Sequence, residues 1–134
     1  MKSKLLLRIA AIIMLLHTLG HTMGALTWKE APNPAVKTVI DGMLNNRFNF
    51  MGRLASIGDF YAGYGYSMIG VLLLIAILLW LLSTEPSPRI IIALGLFLLF
   101  FGIIELIYFF PFAAAFSILA GIATLLAYGR LVKI

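Results

Sequence analysis

From Phe60 to Ser83 the chain runs through 24 consecutive residues without one charged side chain. An apolar run of about 18 or more residues is long enough to cross the hydrocarbon core of a bilayer as a helix. Inside lipid the backbone must satisfy its own hydrogen bonds, so a helix is the form such a segment takes. Three further stretches have the same character: Leu5–Leu26, Ile90–Phe110 and Phe112–Gly129. Composition agrees, with 63% hydrophobic and 11% charged residues and a mean hydropathy of +1.08. These values exclude a soluble globular enzyme and a disordered tail. The expected fold class is therefore all-α membrane: one domain, residues 1–134, built as an antiparallel four-helix transmembrane bundle.

The connections support four spans. Ser83-Thr84-Glu85-Pro86-Ser87-Pro88-Arg89 is a polar turn whose prolines stop a helix. Pro111 makes a tight turn between the last two spans. Met1-Lys2-Ser3-Lys4 has the look of a signal-peptide start, but Arg8 interrupts it and no small-x-small cleavage site follows. The first span is read as a retained helix. Lys2, Lys4, Arg8, Arg89, Arg130 and Lys133 fall on one side of the membrane and the Phe110–Phe112 turn on the other. Basic flanks stay cytoplasmic, so both termini are expected there. The basic residues form no nucleic-acid-binding face, and the absence of Cys removes disulfide and thiolate chemistry.

The polar segment Thr27–Gly58 then faces outward, despite its own four basic residues. Within it Val36, Val39, Ile40, Met43 and Leu44 recur at helical spacing after Pro34. This predicts a short amphipathic helix in the outer loop, lying on the outer surface or capping the bundle, with Trp28, Phe48 and Phe50 as interfacial anchors.

Between helices in lipid, small residues mark the close contacts. They occur as Gly20 and Gly24 in the first span, Gly63 and Gly70 in the second, Gly95 and Gly102 in the third, and Ala113, Ser117 and Gly121 in the fourth. Polar residues share or adjoin those faces. At 1.5 Å per residue, His21 lies roughly 8 Å and His17 roughly 14 Å below the outer end of their helix. By the same rise Glu105 lies about 8 Å and Tyr66 about 10 Å deep. With Ser117 they define a polar slab in the outer leaflet, while the cytoplasmic half is aliphatic and aromatic.

A charge within a span is costly unless paired, so Glu105 is expected either as a protonated acid or as a carboxylate hydrogen-bonded to a histidine, His17 or His21. Such a pair is either a structural clamp or part of a functional site. His17 and His21, at i and i+4, also lie within reach of one metal ion. Adding Glu105 and Asp59 makes a two-His, two-carboxylate set suited to a divalent metal, zinc or non-haem iron. The block Asp59-Phe60-Tyr61-Ala62-Gly63-Tyr64-Gly65-Tyr66 is the second informative stretch. Asp59 is either an N-cap of the second span or a site residue. Tyr66 is a ligand contact or part of an aromatic belt, and Tyr108 follows Glu105 by three residues. Arg47 and Arg53 are read as a head-group clamp or as residues that are solvated or cap the loop helix.

Gly20-His21-Thr22-x-Gly24, Gly52-Arg53 and Asp59-Phe60-Tyr61-x-Gly63-x-Gly65 resemble a group of small, uncharacterised bacterial four-helix membrane proteins. The resemblance covers the first two spans and their loop, and it implies a bacterial inner-membrane location. Glutathione-transferring four-helix membrane enzymes have a similar size, but their Arg- and Asn-rich second-helix motif is not visible here. Three functional expectations follow. The first is a pocket for a lipophilic molecule or lipid, with His17, His21, Asp59, Tyr66, Glu105 and Tyr108 as binding residues. The second is a membrane enzyme using a His–carboxylate site, with His17, His21 and Glu105 able to take a metal. The third is an accessory subunit, with a homo-oligomer or membrane-complex partner besides the bilayer.

Overall fold

The computed structural model describes residues 2–132; Lys133, one of the expected cytoplasmic flank residues, lies outside them. The element order is α1 (Lys2–Thr27), α2 (Pro34–Asn45), β1 (Arg47–Phe50), β2 (Arg53–Ser56), α3 (Ile57–Leu82), α4 (Pro88–Tyr108) and α5 (Pro111–Val132). Helices α1, α3, α4 and α5 are each long and apolar enough to cross a membrane. The protein is thus a multi-pass membrane protein in which helix dominates. Each expected span is found, starting one to three residues earlier than the apolar run alone suggests. Polar residues such as Lys2 and Ser3 extend the first helix beyond its apolar run.

The chain divides into two compact units, one of residues 1–19 and 71–134, the other of residues 20–70. In the first unit α4 and α5 pack antiparallel through glycine. A Cβ on Gly102 would lie 2.6 Å from Ile118 Cγ1 and 3.1 Å from the Ile118 backbone nitrogen. One at Gly95 would lie 2.6 Å from Leu125 Cδ2, and one at Gly121 3.0 Å from Leu99 Cδ2. These glycines let the backbones approach closely enough for dispersion to hold them where no hydrophobic drive exists. The buried stripe of α1 in this unit is Leu7, Ala10, Ala11, Met14, His17 and Thr18; that of α3 is Leu72, Ile75, Ala76, Leu79 and Leu82. Arg8 sets its guanidinium 5.0 Å from the Trp80 ring centroid.

The second unit holds α2, expected from its apolar spacing. Asn33 caps it by accepting from the Val36 amide at 3.0 Å, Pro34 occupies the first turn, and Lys37 pairs with Asp41 one turn on. A two-stranded antiparallel hairpin follows, which the helix-centred reading of this loop does not contain. Arg47 pairs with Ser56 and Phe50 with Arg53, leaving Met51 and Gly52 as the turn. Both turn residues have positive φ, 51° and 86°, the mark of a type I′ turn that matches strand twist. Asn49 Oδ1 accepts from the Gly52 amide at 3.0 Å and closes it. Gly58 sits where a Cβ would lie 2.8 Å from Leu44 Cδ2 and 3.2 Å from Trp28, so the start of α3 seats against those side chains only because it is bare.

The other expected small-residue contacts differ. A Cβ on Gly20, Gly24, Gly63 or Gly70 would meet nothing within 4 Å. Small residues permit close approach but do not require it, and these four face open space.

Candidate functional site

The first unit contains a buried polar line drawn from three helices. Residue 17 of α1 lies on the stripe that turns Ala10 and Met14 inward at spacings of three and four, so the imidazole follows them into the interior. Gly102 and Glu105 repeat the same spacing on α4, and Ser117 does so with Ala114, Ala120 and Gly121 on α5. His17 Nε2 lies 3.1 Å from Glu105 Oε1, and His17 Nδ1 lies 3.3 Å from Ser117 Oγ. One neutral tautomer satisfies both contacts: Nε2–H donates to the carboxylate while Nδ1 accepts from the serine hydroxyl. Phe116 stacks on the imidazole at 5.6 Å between centroids and an interplanar angle of 24°.

His17 and Glu105 are each 5% exposed and Ser117 is fully buried. The second carboxylate oxygen, Glu105 Oε2, is buried with no hydrogen-bond partner among the described residues. A buried acceptor left unpaired costs about 1–3 kcal/mol, and more when it carries charge. The site therefore has one unused strong acceptor beside a stacked His–Phe pair. The arrangement offers Glu105 Oε2 as a hydrogen-bond acceptor next to the hydrogen-bonded series Glu105, His17 and Ser117.

The remaining expected residues are placed elsewhere. His21 belongs to the second unit, where its Nε2 lies 3.0 Å from the Gly65 carbonyl oxygen. Tyr66 and Tyr108 are 54% and 74% exposed. Asp59 is not an N-cap, since α3 begins at Ile57. It closes a capping box instead, three residues after the N-cap Ser56: its Oδ2 accepts from the Ser56 amide at 2.9 Å, and Ser56 Oγ accepts from the Asp59 amide at 3.1 Å. Arg47 donates to the same carboxylate at 3.2 Å, tying the hairpin to the helix start. Among the described residues no three His, Cys, Asp or Glu side chains are grouped to hold a metal ion, and His17, His21, Glu105 and Asp59 do not form such a group.

Two features of the geometry were not read from the sequence. Phe116 is one of ten phenylalanines and carries no local mark of its stacking role. The capping box was legible as Ser56-Ile57-Gly58-Asp59, a Ser-x-x-acid pattern ahead of an apolar run. No family model, curated protein or solved structure matches the chain, so its functional reading rests on this geometry.

Proposed function

We propose that this protein binds a lipophilic molecule within the membrane, through a hydroxyl or ammonium group that donates to Glu105. The observation that carries the proposal is the unpartnered, buried Glu105 Oε2. Ionisable groups inside spans are retained where they pair or act, and one carboxylate oxygen here is already paired to His17. His17 orients the carboxylate, Ser117 fixes the imidazole tautomer, and Phe116 supplies an apolar wall. In this reading the helical segments of the first unit form an antiparallel bundle around the site. The chain lies in the bacterial inner membrane with both termini cytoplasmic, and α2 is an amphipathic helix of the outer loop.

The test is native mass spectrometry after gentle extraction from the source membrane. Wild-type protein is expected to carry an extra mass at one per chain, which Glu105→Gln loses while remaining folded. A bare wild-type chain, or equal retention by Glu105→Gln, refutes the proposal.

The order Ser117, His17, Glu105 also supports a second reading, acid–base chemistry on such a molecule. A hydroxyl, an imidazole and a carboxylate in hydrogen-bonded series is the arrangement that activates a nucleophile. Labelling of Ser117 by a lipophilic fluorophosphonate, abolished in His17→Ala, would favour it; an unlabelled serine leaves the binding role.

A further inference from the structure

We propose that the β1–β2 hairpin is a membrane-interface wedge whose turn, Met51–Gly52, inserts at the boundary between phospholipid head groups and hydrocarbon beside α3. The first observation is the conformation of Met51. Its φ of 51° is one that L side chains adopt at a cost, and Asn or Gly is the usual occupant of this turn position. Yet Met51 is 94% exposed and its apolar side chain gains little from its own chain. Strain at a large apolar residue that packs on little else points to a surface outside the chain. Exposed apolar side chains flank it on both faces of the hairpin: Phe50 is 49% and Leu54 62% exposed.

Ring contacts set the direction of the hairpin. Phe50 packs edge-on against Phe60 at 5.2 Å, and Phe48 stacks on the same ring at 6.2 Å. Arg53, opposite Phe50, is three strand residues from Ser56, about 10 Å, while Phe60 is about 6 Å down the helix from Ser56. A hairpin pointing away from α3 would separate Phe50 and Phe60 by about 16 Å, too far for that contact. The turn must instead hang alongside the first turns of α3.

Those turns lie at the membrane boundary. The 26 residues of α3 span about 39 Å, against about 30 Å of hydrocarbon. An even overhang leaves about three residues at each end among head groups, which puts Phe60 at the hydrocarbon edge and the turn a few ångströms deeper. Exposed Tyr61 and Tyr64 stand at the same level as interfacial anchors. Arg53 is exposed beside Phe50, where its guanidinium reaches phosphate while its methylenes cover apolar surface. The occupant is thus the bilayer interface, apolar at the turn and anionic at the strand.

Because the chain has no cysteine, Met51→Cys takes a single environment-sensitive fluorophore in the intact protein. Reconstituted in phosphatidylcholine vesicles, the probe is expected to be quenched by shallow nitroxide lipids and shielded from iodide. A probe at the exposed Glu85 position, in the turn after α3, should show the opposite. The native side chain is checked without substitution: a water-soluble oxidant should convert Met51 to the sulfoxide at least about fivefold more slowly in vesicles than in a peptide of residues 46–57. Iodide access equal to that at position 85 with oxidation at the peptide rate overturns the proposal. So does a disulfide between copies at Met51→Cys at high dilution in lipid, which would assign the surface to a second chain.

Discussion

Gly102→Ala and Gly24→Ala are the same chemical change on two helices, and the structure predicts opposite outcomes. Alanine has the higher helix propensity, by about 1 kcal/mol. That term is common to both variants and cancels in their difference. At Gly24 the new methyl meets nothing within 4 Å. At Gly102 it lands 2.6 Å from Ile118 Cγ1 and 3.1 Å from the Ile118 nitrogen, with the Ala114 carbonyl oxygen at 3.4 Å. Ordinary carbon contact is about 3.5–4.0 Å, so the neighbour must retreat by about 1 Å. Ile118 is β-branched and stiff in a helix, and its backbone cannot retreat unless α5 moves. Overpacking of this kind costs about 1–3 kcal/mol. Unfolding each variant by SDS titration in mixed micelles, followed by tryptophan fluorescence, should place Gly102→Ala below Gly24→Ala by that amount. A difference within about 0.5 kcal/mol would refute the claim that glycine sets the α4–α5 separation.

Two more changes test the polar groups by the same titration. His17→Ala removes the hydrogen bond that the imidazole donates to the Glu105 carboxylate and should cost about 1.5–3 kcal/mol, whereas Ser117→Ala removes one bond between neutral groups and should cost about 0.6 kcal/mol. Equal losses would mean that the histidine acts through volume alone. Ser56→Ala removes the hydroxyl that accepts from the Asp59 amide and should lower stability by about 1 kcal/mol, with faster hydrogen exchange at that amide; unchanged exchange would argue against the capping box.

Much of the local structure was legible because lipid leaves the backbone so few choices. The helix at Pro34–Asn45 was readable from Pro34 and the spacing of Val36, Val39, Ile40, Met43 and Leu44. The hairpin was hidden because its strands are only four residues each and its turn holds Met where Asn would have been a signal. Arg47-Phe48-Asn49-Phe50 does alternate polar and apolar, but four residues of alternation beside a helical pattern do not identify a strand. Of the site, a histidine partner for Glu105 was one of two states, with a protonated acid, that the cost of a charge in hydrocarbon allowed. Which histidine it takes was not legible.

Sequence by itself determined that this chain has four helices apolar enough to cross a membrane, where they run to within about three residues, and that a charged Glu105 must be paired. Those properties depend on apolar length, turn residues and transfer energy, all local along the chain. Tertiary structure decided that His17 serves Glu105 while His21 serves the Gly65 carbonyl, and that Gly95, Gly102 and Gly121 pack while Gly20 and Gly24 do not. The physical reason is rotation about the helix axis. Near-uniformly apolar helices have no strong amphipathic face to set that angle, so it is set where side chains from residues as distant in sequence as 17, 105 and 117 meet.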